Sequence, residues 1–301
     1  MNGLTDYITQ CPWEDIFIVW FVLVDDIYKQ LFPHERILRE RGPEPRFSDS
    51  EVITVAMICD TFFGGNEELG LCFVHQHYLY LFPNLLEYSR FNRRRRSMAL
   101  VTEEVRRILS GLLISPTDGL RLVDAAPIPV CTYMRSNRCS TFQGAEYCSV
   151  IPSKRAKLFG VRIHMTCSWE QVADHWTLAP ASFRETRVVE SLLAESNGVE
   201  VIGDQGYQSA ELENWLKQNQ GIRLLTAKRR TDKVQWPEHL RSLLNRARRR
   251  IETAFSVLAT VFHIERSGSR SLSGLVARTA SRILAYNISF LTAPILMTQR
   301  N

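Results

Sequence analysis

The sequence predicts an α/β protein in two parts: a helical amino-terminal region, then a five-stranded mixed sheet flanked by helices. Three observations predict this. Apolar residues recur at helical spacing through about the first 115 residues. A turn cluster, Ser115-Pro116-Thr117-Asp118-Gly119, then interrupts the chain. Beyond it come short apolar or alternating runs, three in succession and then in alternation with helical stretches. The expected division is therefore a helical region over 1–115 and a sheet-containing domain over 116–301.

In chain order, Ile16 to Val24 reads as a buried helix. Phe47-Ser48-Asp49-Ser50-Glu51-Val52 carries a helix start, with Ser48 as cap, Glu51 reaching back to it, and Phe47 and Val52 as the apolar staple. That helix runs to about Phe63, where Gly64-Gly65-Asn66 ends it. Met98 to Leu113 closes the region. Leu120 to Asp124 alternates like a strand, and Pro127 and Pro129 are expected to stop it. Phe159 to Cys167 and Val172 to Ala179 read as two strands joined by a turn over 168–171. Arg184 to Glu195 is helical by periodicity, and Val199 to Ile202 is a short buried strand entering Gly203-Asp204-Gln205-Gly206-Tyr207. Ser209 to Gln218 follows as a helix, Ile222 to Ala227 as a strand, and Glu238 to Phe262 as a long helix.

The composition narrows the function. With 45% hydrophobic and 23% charged residues the chain has the balance of an ordinary folded protein, not of a disordered or fibrous one. Ile16 to Val24 is too short to span a bilayer. It follows Asp6, Glu14 and Asp15 with no basic residue, unlike a secretory signal, so a cytoplasmic protein with no membrane partner is expected. The seven cysteines form no CxxC pair, which suits reduced thiols. Cys72, His75 and His77 could be read as part of a metal cluster; a small core cysteine beside ordinary polar residues is the simpler reading.

The net charge is only +5, but the cations are clustered. Arg90 and the run Arg93, Arg94, Arg95, Arg96 form one block. Arg223, Lys228, Arg229, Arg230, Lys233, Arg241, Arg246, Arg248, Arg249 and Arg250 form another. Such blocks suit a polyanion, because each neutralised phosphate releases counterions; the competing reading is a solvated helix face.

Three acids stand where the predicted layout can bring them together. Asp124 ends the first strand, Asp204 follows the fourth on a Gly-x-x-Gly loop, and Glu252 lies on the last helix. Leu240, Leu244, Ile251, Phe255, Leu258 and Phe262 mark that helix's buried stripe. Glu252 is turned about 100° from Ile251, on the shoulder of the stripe. Convergent carboxylates are what divalent cations require, and a pair of such ions can drive in-line attack on a phosphodiester.

These segments resemble bacterial insertion-sequence transposases of the DDE type, whose catalytic domain has the ribonuclease H-like fold. Leu122-Val123-Asp124-Ala125-Ala126-Pro127-Ile128-Pro129 is similar to the family's first aspartate motif and Gly203-Asp204-Gln205-Gly206-Tyr207 to its second. Arg246-Ala247-Arg248-Arg249-Arg250-Ile251-Glu252-Thr253-Ala254-Phe255 resembles the third. Phe47 to Glu51 and Tyr88 to Arg94 also look like the family. The resemblance implies Asp124, Asp204 and Glu252 as catalytic ligands of Mg2+ or Mn2+, with two ions bound. It implies element-end and target DNA as partners, a homodimer on DNA, and work at the bacterial nucleoid. Tyr207 would pack beside Asp204 or touch DNA, and Arg248 or Arg249 would hold a phosphate. Lys154, Arg155, Lys157, Lys228 and Arg229 would line the DNA path, and Arg93 to Arg96 would help the amino-terminal region grip the ends. Trp169, Trp176 and Trp236 are expected in the core rather than as wedges in DNA. One departure stands out: Ala125 occupies a position where a small hydroxyl residue is usual. A metal-dependent nuclease on the same fold, or a non-cutting DNA-binding descendant, are the alternatives.

Overall fold

The computed structural model describes residues 11–33, 45–151, 156–229, 231–232, 234–266 and 268–298. Its contacts divide the chain into two compact units, residues 1–113 with 258–301, and residues 114–257.

The first unit is all helix. It contains α1 (Trp13–Leu31), α2 (Asp49–Phe62), α3 (Glu67–His77), α4 (Tyr88–Ser97) and α5 (Ala99–Leu113). It also takes in α9 (Leu272–Thr298), which no motif in the sequence announces. The capping box at Ser48 forms: its hydroxyl accepts from Glu51 N–H, and the Glu51 carboxylate accepts from Ser48 N–H. Ile16, Phe17, Trp20 and Val24 of α1 are fully buried. α9 is buried along most of its length, with Ile283, Leu284, Tyr286 and Ile288 inaccessible. A helix buried on nearly every side, with Arg278, Arg282 and Asn287 among its buried positions, shows no single apolar stripe, which is why it escapes a pattern search. Cys72 is exposed rather than in the core.

The second unit carries a mixed sheet of six strands: β1 (Leu120–Pro129), β2 (Cys148–Ile151), β3 (Ala156–Ser168), β4 (Ala173–Pro180), β5 (Glu200–Gly203) and β6 (Arg223–Thr226). β1 lies between antiparallel β3 and parallel β5, and β6 is parallel to β5. β3 is long enough to pair with β2 through its first residues and with β4 further on. Helices α6 (Glu185–Leu192), α7 (Ala210–Gln220) and α8 (Glu238–Thr260) complete the set. The β3–β4 turn is the expected one: Ser168 and Val172 are joined by backbone hydrogen bonding, and Gln171 takes a left-handed conformation with φ 74°.

Two expectations need correction. The sixth strand, β2, is short and paired only to β3, and its sequence Cys-Ser-Val-Ile carries little alternation. And β1 does not stop at Pro127; it continues through Pro129. The Val130 N–H donates to Phe159 of β3, whereas the Gly119 carbonyl accepts from Glu200 of β5. Odd-numbered residues of β1 therefore turn their backbone groups toward β5. But β5 pairs only with Leu120 to Leu122. Both prolines sit on the open edge, where no ladder bond needs an N–H.

Candidate active site

The strand layout puts the acids at one end of the sheet. Asp124 lies two residues past the point where β1 and β5 part, and Asp204 directly follows β5. Val123 faces the core built by Val189, Leu192, Tyr207, Leu212 and Leu216. Side chains alternate along a strand, so Asp124 faces the other way, toward α8. A cleft of about 230 Å³ is lined there by Asp124 and Asp204 together with Leu244, Asn245, Arg248 and Ile251 of α8.

Each acid is positioned locally. The Ala125 N–H, on the open edge of β1, donates to Asp124 Oδ1 at 2.7 Å. Asp204 caps the short turn after β5, its Oδ1 accepting from Gly206 N–H at 2.8 Å. Glu252 is exposed on α8, one residue after buried Ile251, and its Oε1 accepts from Arg248 Nε at 2.7 Å. Arg248 in turn feels all three carboxylates: the bond to Glu252 and the charges of Glu252, Asp204 and Asp124 raise its pKa.

The electrostatics mark a site short of positive charge. Burial pushes the Asp124 carboxyl up to about 7; the Ala125 N–H opposes this, and Asp204, Glu185 and Glu252 add to it. Glu185, the first residue of α6, is a further acid beside Asp204. Its pKa is raised by burial and by Asp204, with Arg162 at 3.3 Å pulling the other way. A leading acid on a helix reads as an ordinary dipole partner, and nothing in the spacing ties it to Asp204.

Do these residues fit divalent ions? Their donor chemistry does: they are hard carboxylate oxygens, one of them held well above its normal range by burial and by its like-charged neighbours. As they stand, no three histidine, cysteine or acidic groups among the described residues converge tightly enough to hold an ion. Glu252 is turned onto Arg248. That pair is exposed, 65% and 49% accessible, and such pairs are worth about 0–1 kcal/mol, so one side-chain rotation frees the carboxylate cheaply.

The other predicted residues divide sharply. Arg95 is 3% exposed and paired with Asp60 and Glu67; it is not available to DNA. Arg94 is mostly engaged too, with the Phe47 carbonyl and Asp49. Arg93 and Arg96 are exposed. Tyr207 is fully buried, its hydroxyl 3.3 Å from His164 Nδ1, so it packs behind the second aspartate and does not meet DNA. Lys157 is exposed beside Tyr133, Lys228 lies over the Trp236 ring, and Arg229, Arg248 and Arg249 are exposed. Trp236 donates to the Thr226 carbonyl, and Trp169 lies under Arg250; these two and Trp176 are half-buried. Lys154, Arg155, Arg230 and Lys233 lie outside the described residues.

A mixed sheet in the order β3-β1-β5-β6, with one acid within its central strand, a second directly after the neighbouring strand and a third on a following helix, defines a domain of the ribonuclease H-like class. Residues 114–272, more than half of the chain, match the family of the transposase DDE domain, and the chain belongs to that family. Membership implies a transposase-class enzyme of the nucleotidyl-transfer type with DNA substrates, and transposase DDE domains generally use divalent metal. No curated protein and no solved structure matches it. No described helix is long and apolar enough to cross a membrane.

Proposed function

We propose that the chain is the transposase of an insertion sequence, binding the element's ends, cleaving them and joining them to target DNA. The observation that carries this reading is the cleft that Asp124 and Asp204 share beneath α8, with Glu252 on the same helix bonded to Arg248 of the cleft's lining. Asp124, Asp204 and Glu252 are the residues that would hold divalent ions, Mg2+ or Mn2+. When bound, the metal activates the attacking oxygen and stabilises the leaving one.

The chain's own residues do the rest. Arg248, released from Glu252, and exposed Arg249 take a phosphate at the mouth of the cleft; Lys228 and Arg229 extend the cationic surface in the same unit. Phosphate contacts of this kind fix register without reading sequence. In the helical unit, Arg90 and Arg93 line a hollow of about 390 Å³ suited to a backbone phosphate, which supports a role of the 1–115 region in end binding. Water attacks first, leaving a 3′-hydroxyl at the element end. That hydroxyl then attacks a target phosphodiester and displaces a target 3′-oxygen. Bringing two ends together requires at least two copies on DNA, acting at the bacterial nucleoid in the cytoplasm.

The test uses labelled element ends, uncut and precut, with Mg2+ or Mn2+. Asp124→Asn abolishes both cleavage and joining while end binding persists. Joining of precut ends by that variant would make the assignment wrong; cutting without joining by the wild type would make the chain a nuclease instead.

A further inference from the structure

The three acids of the proposed site are not the only ones there. Glu185 begins α6, on the side of the sheet opposite α8, yet its charge raises the pKa of both Asp124 and Tyr207. What brings it so close is Gly206. A Cβ built on Gly206 would fall inside the Glu185 carboxylate and lie 3.0 Å from Asp204 Oδ1. The Glu185 carboxylate thus occupies the space that any side chain at 206 would fill, close beside Asp204 Oδ1. Gly206 has no left-handed φ that would demand glycine, so the backbone itself tolerates alanine. The missing side chain serves the carboxylates.

Arg162 Nη1, at 3.3 Å from Glu185 Oε1, offers partial compensation, but it sits on the far oxygen. Glu185 Oε2 is the oxygen turned to Gly206 and Asp204. Like charges held this close, both half-buried, call for a cation beside them. We propose that Glu185 is a fourth carboxylate of the metal site, sharing a divalent ion with Asp204 through the space left by Gly206. This inference rests on the transposase reading of Asp124, Asp204 and Glu252, and adds a ligand to it. Glu185 reaches the ion from α6, so one cation would tie α6 to the β5 loop. Arg162 then acts as the positioning residue that keeps the Glu185 carboxylate ionised and pointed inward.

The experiment reads metal binding, not turnover. Mn2+ is titrated into the full chain and the free ion followed by electron paramagnetic resonance, with thermal unfolding recorded with and without Mn2+. Glu185→Gln is expected to weaken Mn2+ binding about 10–100-fold, the range seen when a supporting group of a metal site is lost. Without metal, its melting temperature stays at or above that of wild type, because a repelling charge has gone. Gly206→Ala, which displaces the Glu185 carboxylate without removing it, reproduces the loss. Wild-type affinity in Glu185→Gln, alongside weakened binding in Asp124→Asn and Asp204→Asn, overturns the fourth ligand and leaves the transposase site standing. A lowered metal-free melting temperature with an unchanged Mn2+-induced rise gives Glu185 a structural role and overturns the inference as well. If none of the four variants changes Mn2+ binding, the reading of the whole site falls with it.

Discussion

Replacing Arg95 with methionine tests how the arginine run is divided between fold and surface. The Arg95 guanidinium is buried between two carboxylates, Asp60 and Glu67, and also donates to Ser281 Oγ at 2.8 Å. Asp60 is wholly inaccessible and Glu67 nearly so. Arg278, 2.7 Å from Glu67, and Arg282, 3.4 Å from Asp60, remain after the substitution, so neither carboxylate is stranded. Even so, breaking a buried pair from one side costs about 3–5 kcal/mol, because the remaining charge has lost its solvation and its best partner. For a body of this size that corresponds to a fall of about 6–20 °C in melting temperature. Arg96→Ala, one residue along on an exposed position, changes stability by less than about 0.5 kcal/mol. Thermal unfolding followed by far-ultraviolet circular dichroism separates the two variants. An Arg95→Met protein as stable as wild type would refute the assignment of this arginine to the core.

Other outcomes follow from the sheet unit and from pH. In metal-free protein the Asp124 carboxyl is raised to about 7, so its contribution to stability is fully present below pH 3.8 and is lost as pH rises through 7; melting curves across that window should lose this component in Asp124→Asn. Asp60 behaves oppositely. Burial pushes its pKa up, but Arg95, Arg282 and Arg278 more than offset this, so its contribution is present above 3.8 and fades as pH falls through the lowered folded value; acid titration of wild type and Asp60→Asn shows whether that step belongs to this residue. Gly160→Ala places a Cβ onto the Ile128 carbonyl and 2.9 Å from Val130 N, where only backbone can yield, and is expected to cost about 1–3 kcal/mol in denaturant melts. Gly119→Ala, with open space around it, is the control.

What the sequence disclosed and what it concealed both have physical causes. The Ser48 cap and the passage from Val199 into Asp204 are local, set by neighbours within a few residues, and both form as their sequence implies. Asp204 falls on its glycine loop as the sequence implies, whereas Asp124 lies inside β1 rather than at its end, because the strand runs on through Pro129. Arg94 and Arg95 were misjudged because their partners are distant: Asp49, Asp60, Glu67 and Ser281 come from other helices, and a run of arginines alone looks like surface. The continuation of β1 through its prolines depended on β5 being short, which no property of β1 reveals. Glu185 was hidden for the same reason, since its place beside Asp204 is made by the absence of a side chain at Gly206.

Transposition by this chain requires Asp124 and Asp204 to form one cation site that Glu252 completes. Anomalous diffraction at the manganese edge, from crystals of the full chain grown with Mn2+, examines that directly. It should show manganese between Asp124 and Asp204, with Glu252 rotated away from Arg248 toward the ion. Manganese absent from that cleft under saturating conditions, or Glu252 still locked to Arg248 with the ion bound elsewhere, would contradict it.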